Sequence, residues 1–173
     1  PLMLLTTLAI FIESGGRGSV LYRQTRVKQD GRLFQIYKFR SMVADAEKDG
    51  RARWASKNDS RITRVGSIIR TLRIDELPQL LNVLRGEMSM VGPRPEMPFL
   101  VNGYTRLERR RLQVKPGITG WAQVNGLRGE TDTLDKMERR VQFDLHYIEN
   151  WSLKLDLKIL WMTLRYGLRF NAY

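Results

Sequence analysis

Asp75 and Glu76 stand side by side in a chain that is otherwise strongly basic, and eighteen residues on from Glu76 comes Arg94, held between Pro93 and Pro95. Adjacent carboxylates at the start of an apolar-periodic stretch have two readings. One is structural: an Asp N-cap followed by Glu in the first turn steadies a helix by about 1 kcal/mol, and Pro78 in that first turn does no harm because its missing N–H would be unused there. The other is chemical. An ionised Asp can attack phosphorus and form an acyl phosphate. Two hard oxygen ligands beside a phosphate can also hold Mg²⁺, which takes one or two carboxylates and completes its shell with substrate. A phosphate needs cations, and an arginine on a proline-stiffened backbone loses little entropy on binding one while its fork meets two oxygens at once. The alternative for Arg94 is a structural salt bridge.

The remaining cations depend on the elements that carry them. Val20–Val27 and Arg32–Met42 read as the strands of a β-hairpin turned at Asp30-Gly31. Strict alternation puts Leu33, Gln35, Tyr37 and Phe39 on one face and Phe34, Ile36, Lys38 and Arg40 on the other. Lys38 and Arg40 are then either a shared phosphate-binding face or a solvated one. Val43–Ser60 reads as a short helix and then a mobile loop. Arg64–Arg73 has helical periodicity, with Val65, Ile68, Ile69 and Leu72 inward and Arg64, Arg70 and Arg73 off that face. Glu76–Arg85 is expected to be a helix burying Leu77, Leu80, Leu81 and Leu84 and stopped by Gly86. Arg106–Gln113 reads as a short basic helix, and Val114–Gly126 as a loop with one extended piece. From Thr133, a plausible N-cap, a helix carries Leu134, Met137, Val141, Leu145 and Ile148 on one side.

Two segments raise the question of a membrane. Pro1–Ile12 is apolar all round but would span only ~18 Å as a helix. It is a buried core helix, a strand, or half of a membrane-dipping helix broken at Pro1. In Trp151–Tyr173, Leu153, Leu157, Leu160, Trp161, Leu164 and Leu168 oppose Lys154, Lys158, Arg165 and Arg169. That is the pattern of a helix lying in a membrane surface, or of one packed on a core with a basic outer side.

The totals agree with an anionic partner. Among 173 residues, 30 Lys and Arg face 18 Asp and Glu, for a net charge of +12. Nucleic acid, phosphorylated small molecules and an anionic bilayer all fit that balance. With no cysteine and the single His146, disulfides, Cys-based metal sites and most catalytic triads are excluded. A zinc-finger spacing, an RNP motif and a basic zipper are all missing, which argues against nucleic acid.

Taken together, GSVLYRQTRV, FQIYKFRSM, SRITRVGSIIR, IDELPQLLNVLRGEMSMVGPRPE, VKPGITGWAQVNG and YIENWSLKLDLKIL resemble the bacterial sugar transferase family, the monotopic polyprenyl-phosphate phosphoglycosyl transferases. They occur in the family's order between Gly18 and Leu160. The resemblance implies transfer of a sugar-1-phosphate from a UDP-sugar to undecaprenyl phosphate, with release of UMP, as the first step of exopolysaccharide or other surface glycan assembly. It makes Asp75 the nucleophile and Glu76 its partner carboxylate with Mg²⁺, so Asp75 and Glu76 are the candidate metal ligands. Lys38, Arg40, Arg70, Arg94 and Gln123 are the candidate substrate and phosphate contacts, and Asp156 also falls in a motif. RGETDTLDKMERRVQFD with a terminal NAY looks like the undecaprenyl-phosphate glucose phosphotransferase branch, which points to glucose, with galactose as the competing sugar. Lys28 departs from the pattern, since relatives often carry Gly there.

The fold implied is α+β and mostly helical: one membrane-associated domain with a β-hairpin, amphipathic interfacial helices and, over residues 1–13, the second half of a re-entrant membrane helix ahead of a catalytic domain at 14–173. Pro1 matches the break of that helix, and the chain looks like the C-terminal catalytic part of a longer protein. The expected setting is the cytoplasmic face of a bacterial inner membrane, with membrane lipid as a partner, no nucleic acid, and room for a homo-oligomer. A non-catalytic basic module binding a membrane surface or nucleic acid is the alternative of another class.

Overall fold

A computed structural model describes residues 1–46, 59–128 and 133–166. Helices and two small sheets alternate along the chain in an α+β arrangement. The expected hairpin is present: β1 (Leu21–Val27) and β2 (Leu33–Phe39) pair antiparallel, with Val27 opposite Leu33 and Leu21 opposite Phe39. Asp30 and Gly31 turn the chain with positive φ of 60° and 73°. Both residue types tolerate that conformation.

The hairpin is covered on one face and at one end of the other. Phe34 and Ile36 pack with Met88, Val83 and Ile118. On the other side Phe39 packs with Ile10 of α1 (Leu2–Glu13) and Ile69 of α2 (Arg64–Thr71). Thr63 caps α2 by accepting from the Gly66 N–H at 2.9 Å. Only Ile69 and Gly66 of α2 are buried, while Ile68 and Leu72 of the expected inner face are exposed.

The helix expected over Glu76–Arg85 is shorter and turned differently. Asp75 does not cap it: a 3₁₀ turn, Ile74–Glu76, precedes α3 (Gln79–Leu84). Leu81 and Leu84 are exposed, and the fully buried residues of α3 are Gln79 and Asn82. The reason lies at the open edge of β2. The Asn82 carboxamide accepts from the Tyr37 N–H (3.1 Å) and donates to the Gln35 carbonyl (2.8 Å), pairing backbone groups that a third strand would otherwise take.

After α3, β3 (Ser89–Val91) runs parallel to β4 (Gly117–Thr119). Gly92 and Gly117 let the two backbones touch. A Cβ on Gly92 would meet the Lys115 carbonyl at 2.6 Å, and one on Gly117 would overlap the Gly92 nitrogen. Short α4 (Pro98–Asn102) follows β3, and the basic segment is a 3₁₀ helix, Glu108–Gln113, rather than an α-helix. Short α5 (Trp121–Val124) follows β4 inside the stretch expected to be a loop.

Helix α6 (Leu134–Glu149) starts at Thr133 as expected, its hydroxyl accepting from the Lys136 N–H at 3.3 Å. Helix α7 (Leu153–Tyr166) has three sides rather than two. Ile159 is fully buried in a cluster with Val91, Val124 and Tyr147, against which Leu155 and Met162 pack. Leu153, Leu157, Trp161 and Leu164 form an exposed apolar row, with Lys154, Lys158 and Arg165 beside it. Asp156 accepts from the Tyr147 hydroxyl (2.8 Å) and from Trp151 Nε1 (3.2 Å), so it secures the α6–α7 corner. Helix α1 exposes Leu2, Leu4, Leu5, Leu8, Phe11 and Ile12 and buries Thr6 and Ile10, so it is neither a core helix nor a strand. No helix among the described residues is long and apolar enough to cross a membrane. Most of the helix and loop expected over Val43–Ser60, with Leu168, Arg169 and the terminal tyrosine, lies outside the described residues.

Candidate functional site

The site begins where α2 ends. Arg73 takes a left-handed conformation (φ 59°, ψ 20°) at the position where glycine is usual, which costs about 1 kcal/mol or more. That reversal delivers the 3₁₀ turn and presents Asp75 and Glu76 to the β2 and Pro93–Glu96 segments. Glu76 is buried, and its Oε1 accepts from Arg94 Nη2 at 2.7 Å and from Lys38 Nζ at 3.3 Å. Lys38 reaches it because alternation along β2 keeps its side chain on the Phe34–Ile36 face.

The two carboxylates differ in how readily each takes up a proton. Burial pushes Glu76 up, but Arg94 and Lys38, with Arg128 adding to them, overcome it and hold the group well below the usual carboxylate range. Asp75 moves the other way. Burial and the neighbouring Glu76 charge raise it to about 6, against the pull of Lys38, Arg70 and Arg94. A single proton is therefore held loosely on Asp75, while Glu76 is committed to its ion pairs. Burial lowers the Lys38 ammonium, with Glu76 opposing. The Glu76 charge raises Arg94.

Asp75, Glu76, Lys38, Arg70 and Arg94 are thus brought together. Arg40 is not: β2 ends at Phe39, alternation ends with it, and the Arg40 guanidinium donates to the Arg17 carbonyl at 3.0 Å. Gln123 sits on α5, where its Nε2 donates to the Ile118 carbonyl at 3.2 Å. Among the described residues its buried Oε1 has no hydrogen-bond partner and no bond links it to the carboxylates. Among the described residues no group of three or more His, Asp or Glu side chains is positioned to hold a metal.

The profile of the bacterial sugar transferase family matches residues 1–169. The chain belongs to that family. It is 48% identical over 170 residues to the UDP-glucose:undecaprenyl-phosphate glucose-1-phosphate transferase of Escherichia coli K12, covering 94% of this chain and 36% of that protein. It is 50% identical over 171 residues to the undecaprenyl-phosphate glucose phosphotransferase of Komagataeibacter xylinus, covering 95% and 32%. A UDP-N-acetylgalactosamine-undecaprenyl-phosphate N-acetylgalactosaminephosphotransferase of Aeromonas hydrophila is 46% identical over 168 residues, covering 95% and 38%. The chain spans about a third of the length of these curated relatives.

Three cations of this chain carried no signal in the sequence. Arg73 was expected on a helix, yet its charge acts on Glu76 and Asp75. Arg128 follows α5, and its charge acts on Glu76. Burial lowers its guanidinium to about 10, and its buried Nε has no hydrogen-bond partner. Arg26 on β1 is likewise lowered to about 10, by burial and then by Arg94. Excess cations brought to one place from β1, β2, α2 and two loops leave no local pattern to read.

Proposed function

We propose that this domain transfers a hexose-1-phosphate from a UDP-sugar to undecaprenyl phosphate by way of Asp75. The observation that carries the reading is the asymmetric carboxylate pair. Glu76 Oε1 is spent on Arg94 and Lys38, and Asp75, raised to about 6 by burial and the Glu76 charge, is left a stronger base and nucleophile than an ordinary aspartate. An Asp75 oxygen attacks the phosphorus that bears the sugar. The bond from that phosphorus to the oxygen bridging to the uridylyl phosphate breaks, and UMP leaves with the electron pair. A phosphate oxygen of undecaprenyl phosphate then attacks the same phosphorus and returns Asp75 as a free carboxylate. Arg94, Lys38 and Arg70 neutralise charge on the phosphate oxygens, which is most of what phosphoryl transfer asks of a protein.

Mg²⁺ fits the donor set here. Asp75 and the Glu76 Oε2 that neither Arg94 nor Lys38 takes offer hard oxygens, and with no third acidic group assembled among the described residues the diphosphate and water would complete the shell. When bound, the ion would supply charge neutralisation at the diphosphate.

The glucose assignment draws on the names of the Escherichia coli and Komagataeibacter relatives. The Aeromonas relative favours a second donor, UDP-N-acetylgalactosamine, in the place first given to galactose. A membrane setting on the cytoplasmic face of the inner membrane draws on the exposed apolar side of α1 and the Leu153–Leu157–Trp161–Leu164 row beside Lys154 and Lys158. The test is UMP release by the full-length protein in lipid, with Mg²⁺, undecaprenyl phosphate and a panel of UDP-sugars. Multiple-turnover UMP release that depends on the acceptor, with UDP-glucose or UDP-N-acetylgalactosamine as the preferred donor, is expected. No release with any UDP-sugar would reject the assignment.

A further inference from the structure

Arg94 rides on a backbone whose four consecutive carbonyls are each held from a different direction. The Gly117 N–H donates to Pro93 O at 2.9 Å and the Val27 N–H to Glu96 O at 3.0 Å. Arg111 Nη2 donates to Arg94 O at 3.3 Å, and Arg26 Nη1 to Pro95 O at 3.3 Å. Pro93 and Pro95 already fix two φ angles, so little freedom remains in the segment.

Arg111 is the unusual member of this set. It is 4% exposed, and its fork is divided among three tasks. Nε donates to Asp144 Oδ2 of α6 at 2.8 Å, Nη1 to the Tyr104 hydroxyl at 2.5 Å, and Nη2 to the carbonyl of Arg94. Glu96 Oε1 lies 3.7 Å from Nη2 and accepts from Arg140 Nη1 at 3.1 Å. A buried ion pair that served stability alone could be replaced by apolar residues with no loss. Holding the carbonyl of the very residue whose side chain reaches Glu76 is a task that apolar residues cannot take over.

We propose that Arg111, oriented by Asp144, is a positioning residue that sets Arg94 for the donor phosphate. This rests on the reading of Arg94 as a phosphate contact. Two variants of the full-length protein in lipid test it. Arg111→Met with Asp144→Leu removes both charges at similar volume. Arg111→Lys leaves Asp144 partnered but lacks the planar fork that reaches the Arg94 carbonyl. Both are expected to melt close to wild type and to lose roughly tenfold or more in kcat/KM for the UDP-sugar, with KM for undecaprenyl phosphate changed less than about twofold. Wild-type donor kinetics in a folded double variant would overturn the proposal. Should that variant fail to fold, wild-type donor kinetics in Arg111→Lys would do the same. Arg94→Ala separates the two claims: an unchanged donor KM there removes the phosphate role of Arg94 itself, whatever Arg111 does.

Discussion

Two ionic clusters lie on either side of the Pro93–Glu96 segment, and they are built to opposite rules. Behind it, Arg111 and Arg140 meet Glu96 and Asp144, two charges of each sign in a closed network. In front, Lys38, Arg70, Arg73, Arg94 and Arg128 all act on Asp75 or Glu76 or both. The first pairs its charges one for one. In the second, one of the two acids is held near 6 rather than driven low. A buried network of paired charges holds backbone in place, whereas an acid whose proton is held near neutrality among several cations marks a candidate site for chemistry.

Neutralising one acid in each cluster is the sharpest way to test that contrast. Asp75→Asn is expected to cut UMP release by roughly 10³-fold or more and to leave the melting temperature at pH 7.5 equal to or slightly above wild type. The sign follows from linkage. Folded Asp75 binds its proton more tightly than the unfolded group at its ordinary 3.8, so its favourable contribution is full below that pH and fades as pH rises through about 6. Removing the charge therefore costs no stability at neutral pH. Asp144→Asn should do the reverse in kind. It leaves Arg111 and Arg140 short of a counter-charge in the interior and should destabilise by about 3 kcal/mol, read from urea melts. If both variants lost stability equally, the distinction between the clusters would break down.

A smaller effect concerns pH. With Asp75 as the attacking group, kcat/KM for the donor should fall about tenfold for each pH unit below about 6. A flat profile from pH 5 to 7 would separate the rate from this carboxyl. Smallest of all is the exposed Arg110–Glu149 pair at 2.8 Å. Arg110→Ala should change stability by less than about 0.5 kcal/mol and leave turnover unaltered.

The hairpin and α6 were legible because their signals are local: Asp30-Gly31 for the turn, Thr133 with a 3.6-residue period for the helix. Helix α3 was not, because what it buries is set by the open edge of β2. Asn82 goes inward to pair the Gln35 and Tyr37 backbone while Leu81 and Leu84 stay out, and residue type alone argues for the opposite. Helix α7 was half legible. Its leucine row is present, but Ile159, read as neither face, is what docks it. In the candidate site, motif and alternation picked out Asp75, Glu76, Arg94 and Lys38, which the structure brings together. The same alternation carried one residue too far gave Arg40, which turns to the Arg17 carbonyl once the strand has ended. Arg73, Arg128 and the grip of Arg111 on Arg94 depend on tertiary approach and have no counterpart in spacing.

The most direct measurement is the mass of the Asp75 peptide after the full-length protein in lipid is mixed with UDP-sugar and Mg²⁺ without acceptor, then quenched and digested. The account predicts a hexose phosphate on Asp75 that disappears when undecaprenyl phosphate is added. UMP release with that peptide unmodified, or with the adduct on another side chain, would contradict it.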